Sequence, residues 1–124
     1  MGKLNIAIVG LGRVGTGFLY GIISQKDKGI NIIAVSEQND TTGKNAAMKA
    51  GIKNYDIDNL IKLGNKLDII FDLTGNSEVR KVLRELLESS NNRHTVIAPE
   101  NVARLVWSLI TNKPLPDVHT DKGY

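Results

Sequence analysis

The sequence predicts an α/β fold: a doubly wound parallel sheet of about five strands in order 3-2-1-4-5, in three layers with helices on both faces. Three observations carry this. Apolar, β-branched runs alternate with runs of helical period along the chain. The runs at 4–9, 30–36, 67–74 and 94–99 are apolar nearly throughout, as strands covered on both faces are. The first of them ends in a cluster of glycines, "IAIVGLGRVGTGF" (6–18), where a helix begins.

Each element has its own warrant. "LNIAIV" (4–9) is a short strand bounded by Gly10. Residues 13–26 place Val14, Phe18 and Ile22 at helical spacing, with Leu19 and Ile23 beside them. "INIIAVS" (30–36) is the second strand, and 41–51 a short helix stopped by Gly51. A weak strand at 52–55 precedes one or two helical turns at 56–64, with Ile57, Leu60 and Ile61 on one face and Gly64 closing them. "LDIIFDLT" (67–74) is the fourth strand. The clearest helix is 76–90, capped by Asn76 or Ser77, with Glu78 in its first turn and Val79, Val82, Leu83, Leu86 and Leu87 as its buried stripe. "HTVIAP" (94–99) is the fifth strand. A last helix, 101–111, is expected to face Val102, Leu105, Val106, Leu109 and Ile110 inward. This divides the chain into one domain, 1–112, and a tail, 113–124, with two prolines and mostly polar residues, which is loose or pairs with another chain.

Composition excludes several classes. With 124 residues the chain supports one core, and with no cysteine it can form no disulfide, thiol nucleophile or cysteine metal site. The N-terminal apolar run is too short for a secretory signal and no segment approaches a membrane span, so a cytoplasmic protein without membrane contact is expected. The net charge of +3 is small and scattered, and the one tryptophan, three tyrosines and two phenylalanines do not interleave with a basic run. Nucleic acid is therefore not an expected partner.

The glycine cluster carries the chemistry. Gly10, Gly12 and Gly15 spell G-x-G-x-x-G directly after the first strand and at the opening of the first helix. In that context Gly10 allows a tight turn, Gly12 lets a pyrophosphate approach bare backbone, and Gly15 lets the helix pack closely on the sheet. The loop Gly10, Leu11, Gly12, Arg13, Val14 and Gly15 then offers backbone N–H groups and the positive end of a helix dipole, with the Arg13 guanidinium within reach of a phosphate. Gly17 and Gly21 lie deeper in the helix, where close packing on a neighbour accounts for them. Glu37 stands 22 residues beyond Gly15 at the end of the second strand, where a carboxylate can accept from ribose hydroxyls. A 2′-phosphate would meet it as a like charge, which favours NAD over NADP. Ser36, with Arg13 and Lys44, is the opposing signal, since these side chains can receive a phosphate if Glu37 turns away.

The stretches "IAIVGLGRVGTGF", "IIAVSEQN", "AAMKAGIKNYDIDNLI" and "LDIIFDLTGNSEVRKVL", in this order, resemble the N-terminal cofactor domain of the glucose–fructose oxidoreductase and inositol dehydrogenase family. They are also similar to the corresponding domains of homoserine dehydrogenase and dihydrodipicolinate reductase. The resemblance covers about residues 4–112. A softer likeness, on "LDIIFDLTGNSEVR" and "VIAPENVARLVW", is to NAD-binding-type modules fused to bacterial signalling proteins. The resemblance implies that Thr74, Gly75 and Asn76, in the loop after the fourth strand, line the crevice where the nicotinamide ribose lies. From the residues themselves, Asn76 or Ser77 caps the next helix, and Asp72 ends a buried strand and bonds backbone N–H groups of a neighbouring loop.

Two departures stand out. The glucose–fructose oxidoreductase family carries Glu-Lys-Pro after its fifth strand, and homoserine dehydrogenase an Asn-Lys. Here the stretch is Ala98-Pro99-Glu100-Asn101, without lysine; Glu100 and Asn101 can touch a nicotinamide or cap the last helix, and capping is the expected role. Those enzymes also continue into a substrate domain, and this chain stops where it would begin. His94 is expected at the sheet edge opposite the crevice and His119 in the tail; no catalytic residue and no metal set stand out. Two readings follow. One is a cofactor-sensing or regulatory binding module for a dinucleotide, acting on a partner protein or on its own homodimer mate, with Trp107 in the core or at the dimer face. The other is the cofactor-binding half or subunit of an NAD(P)-dependent oxidoreductase whose substrate domain is another chain.

Overall fold

The computed structural model describes residues 2–112; the tail 113–124, with His119, lies outside them. The strands are β1 (Leu4–Val9), β2 (Ile30–Ser36), β3 (Lys53–Asn54), β4 (Ile69–Asp72) and β5 (Val96–Ala98). The helices are α1 (Arg13–Ile23), α2 (Thr42–Lys49), α3 (Ile57–Ile61), α4 (Ser77–Ser89) and α5 (Glu100–Ile110), with short 3-10 turns at Lys26–Lys28 and Gly64–Lys66. All strand pairs are parallel, in the order β3-β2-β1-β4-β5. This is the doubly wound sheet expected from the alternation of strand and helix.

The pleat sends alternate residues of β1 to opposite faces, although every one of its last four residues is apolar. Ile6 and Ile8 join Phe18, Leu19 and Ile22 of α1, Val35, Phe71, Ala47 of α2 and Ala103 of α5. Ala7 and Val9 join Ala34, Ile70, Leu60 and Ile61 of α3, and Leu83 and Leu87 of α4. Three helices thus cover one face and two the other. Phe18 and Phe71 meet with ring centroids 4.7 Å apart, which ties α1 to the middle of the sheet.

Four expectations are corrected. α1 ends at Ile23, which is exposed, and the chain from 26 to 28 is a 3-10 turn. On α4, Val82 is exposed, and the buried line is Leu83 and Leu87 with Val79 and Leu86 packed beside them. On α5 the inward face is turned: Val102, Leu105 and Leu109 are 40%, 59% and 76% exposed, while Ala103 and Trp107 are buried. Only Val106 and Ile110 of the expected stripe touch the core. The cause is Gly21 of α1. A Cβ there would stand 2.6 Å from Cζ3 of Trp107, so the bare glycine surface receives the indole and sets the roll of α5. Trp107 is a core residue, and Gly21 has the close-packing role expected of it. Finally, α5 begins one residue early: Pro99 stands at its N-cap position, without a side-chain bond of its own, and Glu100 is already helical.

Candidate functional site at the carboxyl ends of the central strands

Register places the site. Val9 lies opposite both Ser36 and Asp72, so β1, β2 and β4 end level and their loops emerge side by side. The Gly10 N–H donates to the Ser36 carbonyl at 2.9 Å, and the Leu73 N–H to the Val9 carbonyl at 2.8 Å. The structure therefore brings together three segments far apart in sequence: 10–15, 36–37 and 72–76.

Within the first loop the three motif glycines have different reasons. Gly10 has φ +93°, the left-handed region, and a Cβ on it would stand 2.9 Å from both Cγ2 and N of Thr74. At Gly15 a Cβ would fall on the Gly10 carbonyl oxygen, so this glycine permits the helix to start against the turn. Gly12 has φ −78°, which any residue adopts, and a Cβ there would meet nothing within 4 Å. The fold explains Gly10 and Gly15; it gives no reason for Gly12. Bare backbone facing open space is what a pyrophosphate needs for close approach.

The surroundings of Gly12 fit an anion. Gly12 caps α1 and has no side chain to bond the first N–H groups of the helix, no other side chain among the described residues is shown bonding them, and the first turn holds no acidic residue. Arg13 is exposed in that turn, where the dipole disfavours a cation unless an anion joins it. Leu11 and Val14 contribute backbone only, because their side chains are buried in the core. The loop is braced from behind: the Thr16 hydroxyl donates to the Leu11 carbonyl at 3.0 Å, and Gly43 of α2 lies against that hydroxyl so closely that a Cβ would collide with it.

Glu37 is tied to this loop. Its Oε1 accepts from the Leu11 N–H at 2.6 Å and its Oε2 from the Asn39 N–H at 3.0 Å. Asn54, at the end of β3, holds the Glu37 backbone from the other side: its Oδ1 accepts from the Glu37 N–H at 2.9 Å, and its Nδ2 donates to the Glu37 carbonyl at 3.3 Å. A carboxylate has about four acceptor positions, so two remain for ribose hydroxyls. Ser36 is buried and contributes its carbonyl to the Gly10 turn.

The third segment is organised by Asp72, which is fully buried. Its Oδ1 accepts from the Thr74 N–H at 3.1 Å and from the Thr74 hydroxyl at 2.7 Å, and its Oδ2 pairs with Nε of Arg80 at 3.1 Å. The expectation that Asp72 bonds a neighbouring loop is thus corrected; its backbone partner is in its own loop. The Thr74 hydroxyl also accepts from the Asn76 N–H at 3.1 Å, Gly75 turns with φ +69°, and the Asn76 side chain caps α4 through the Glu78 N–H at 2.9 Å.

Asn54 and Arg80 were not visible in the sequence reading. Asn54 reaches Glu37 only through the β2–β3 register, and Arg80 reaches Asp72 only once α4 folds back over β4; no local motif announces either. His94 lies where expected, at the opposite end of the sheet. There its Nε2 is 2.6 Å from Oδ1 of Asp68, whose Oδ2 accepts from the Asn5 N–H. These two contacts, first the Asn5 N–H and then His94, hold the Asp68 carboxyl below its ordinary value against a smaller opposing effect of desolvation. A concavity of about 520 Å³, lined by Arg84, Leu87, Arg93 and Thr95 among others, lies beside β5 and the carboxyl end of α4, away from the glycine loop. Its size alone marks no site, because none of the three converging loops enters it. Among the described residues no group of His, Asp and Glu could hold a metal ion, and no helix is long and apolar enough to cross a membrane.

A parallel doubly wound sheet with a glycine turn, an acid at the end of β2 and an ordered loop after β4 defines a dinucleotide-binding domain. The model of the family described as homoserine dehydrogenase, NAD binding domain, matches residues 10–107, and the chain belongs to that family. Among solved structures it is similar to homoserine dehydrogenase of S. aureus, with 26% identity and a TM-score of 0.60, over 89% of this chain and 29% of that one. In fold it is also similar to an NAD-binding protein from Listeria innocua (21% identity, TM-score 0.54, 77% of this chain and 27% of that one). GenD2 from gentamicin A biosynthesis, solved in complex with NAD, shares the fold as well (16% identity, TM-score 0.54, 80% of this chain and 34% of that one). The chain therefore spans about a third or less of the length of these structures. No curated protein matches the sequence.

Proposed function

We propose that this domain binds NAD(H) in preference to NADP(H), and that its role is to hold the dinucleotide and report its presence to a partner protein or a second copy. The observation that carries the binding reading is Gly12: a glycine with ordinary φ and empty space beyond its Cα, at the start of an uncapped helix beside Arg13. The pyrophosphate would sit on the backbone of 12–14, with Arg13 as its counter-charge and Glu37 receiving the adenosine ribose. The Thr74–Asn76 loop would flank the nicotinamide half. The nicotinamide itself supplies hydride donation or acceptance when bound. A 2′-phosphate would meet the Glu37 carboxylate, and a like-charge contact of that kind costs several kcal/mol.

The sensing role is supported by what the loops bring to the crevice. They offer backbone N–H groups, Thr74, Asn76 and Glu37. The stretch Ala98–Asn101 holds no lysine, and His94 is at the far end of the sheet. Holding the cofactor can then shift a partner equilibrium only if the partner prefers one loaded state. The family match and the likeness to S. aureus homoserine dehydrogenase support the second reading, the cofactor half of an oxidoreductase completed by another domain or chain. A thermal-shift titration with NAD, NADH, NADP and NADPH tests the binding reading. At a hundredfold excess over the dissociation constant, NAD(H) should add about 2.7 kcal/mol of stability, with smaller shifts for the phosphorylated pair. No shift with any of the four overturns the reading. Hydride turnover of small aldehydes or 2-hydroxy acids by the chain alone would favour the oxidoreductase reading over the sensor.

A further inference from the structure

We infer that Asp72 is a positioning residue for the nicotinamide side of the crevice, acting through the hydroxyl of Thr74. This rests on the dinucleotide reading above and adds a residue to it. The starting observation is a cost that the fold alone does not require: a carboxylate with no exposed surface at the end of a central strand, paired with Arg80, whose side chain is one-third exposed. Buried ion pairs seldom stabilise more than apolar residues of the same volume would. A pair kept in such a place therefore calls for a positional reason.

The geometry supplies one. Asp72 takes both donors of Thr74, its N–H and its hydroxyl, on the single atom Oδ1. With its proton committed to Asp72, the Thr74 hydroxyl oxygen can only accept, and it accepts from the Asn76 N–H. The three residues form a closed relay that fixes the loop 74–76 in one conformation. The other side of Thr74 is the wall of the glycine turn: its Cγ2 and N stand 2.9 Å from where a Cβ of Gly10 would be. One residue thus sets the distance between the two lips of the crevice, and Asp72 sets that residue. The Nε of Arg80 occupies Oδ2, so Asp72 cannot swing to another donor.

A relay of this kind acts on ligand geometry and should weaken the nicotinamide half selectively. The test compares NADH with ADP, which lacks the nicotinamide half, on the wild-type chain and on Thr74→Val and Thr74→Ser. Valine keeps the wall but loses the hydroxyl; serine keeps the hydroxyl and so the relay. Dissociation constants come from NADH fluorescence and from calorimetry with ADP, well below each melting temperature and normalised by the binding stoichiometry. Thr74→Val should weaken NADH about tenfold and ADP less than about twofold, and Thr74→Ser, which keeps the hydroxyl but loses the Cγ2 of the wall, should weaken NADH by no more than about threefold. Should the valine variant not fold, Arg80→Lys keeps the charge but loses the Nε donor, and about a threefold loss for NADH alone is expected. Equal losses for NADH and ADP, or an unchanged NADH affinity in Thr74→Val, overturn the inference while leaving the dinucleotide reading intact. A wild-type chain that binds neither ligand overturns both.

Discussion

The carboxylate of Glu37 accepts a hydrogen bond of 2.6 Å from the backbone N–H of Leu11, between the first two glycines of the loop. The acid is therefore an anchor of the glycine turn as well as a candidate partner for ribose. Asn54 fixes its backbone, so the two loops are joined before any ligand arrives. Truncating Glu37 to alanine would confuse two effects, the loss of a charge and the loss of a brace.

Glu37→Gln separates them. The amide oxygen still accepts from Leu11, the weaker 3.0 Å bond from Asn39 is given up, and the charge that opposes a 2′-phosphate is gone. The ratio of NADPH to NADH affinity should rise about tenfold or more in this variant. Fluorescence titration with both reduced cofactors measures it, and an unchanged ratio would remove Glu37 as the source of NAD preference.

Gly12→Ala and Gly15→Ala should part company in stability. The first adds a Cβ to open space at φ −78° and should change unfolding free energy by less than about 1 kcal/mol. The second drives a Cβ into the Gly10 carbonyl and should cost about 2–3 kcal/mol. Urea denaturation of both variants checks the contrast.

Gly21→Ala should loosen α5. The new methyl carbon meets the Trp107 ring at 2.6–2.8 Å in a buried contact, so the ring must move. A loss of about 1–3 kcal/mol is expected. A shift in Trp107 fluorescence should accompany it, since Trp107 is the chain's one tryptophan.

Stability on the acid side should depend on Asp68. Its carboxyl is held below the ordinary 3.8 by the Asn5 N–H and by His94. A depressed carboxyl stabilises the folded state above the unfolded value, and the gain is lost as pH falls from about 3.8 through the lower folded value. In Asp68→Asn the urea midpoint should therefore fall less steeply below pH 4 than in the wild type. Parallel acid limbs for the two proteins would assign the acid sensitivity elsewhere.

Much of the architecture was legible from local pattern. The runs 4–9 and 30–36 became β1 and β2 with those bounds, because buried parallel strands are continuous apolar runs closed by glycine or polar residues. The structure brings the glycine motif and Glu37 together, but through the Leu11 N–H bond to its carboxylate, which spacing alone does not announce. The roll of α5 was not legible. Seven of its 11 residues are apolar, so period alone leaves the inward face open, and the choice is made by Gly21 on another helix. Asn54, Arg80 and the Asp72–Thr74 bond are equally tertiary: each depends on strand register or on how a helix returns over the sheet. Capping at Asn76 was readable because it is local; at α5 a proline stands where a side-chain cap was expected.

The most direct measurement is NADH titration of Gly12→Val beside the wild-type chain, with thermal melts of both. The account predicts that the wild type binds, that the variant melts within a few degrees of it, and that NADH binding weakens by about a hundredfold because valine fills the seat of the pyrophosphate. Equal NADH affinity in the two folded proteins would show that the phosphates lie elsewhere and would contradict it.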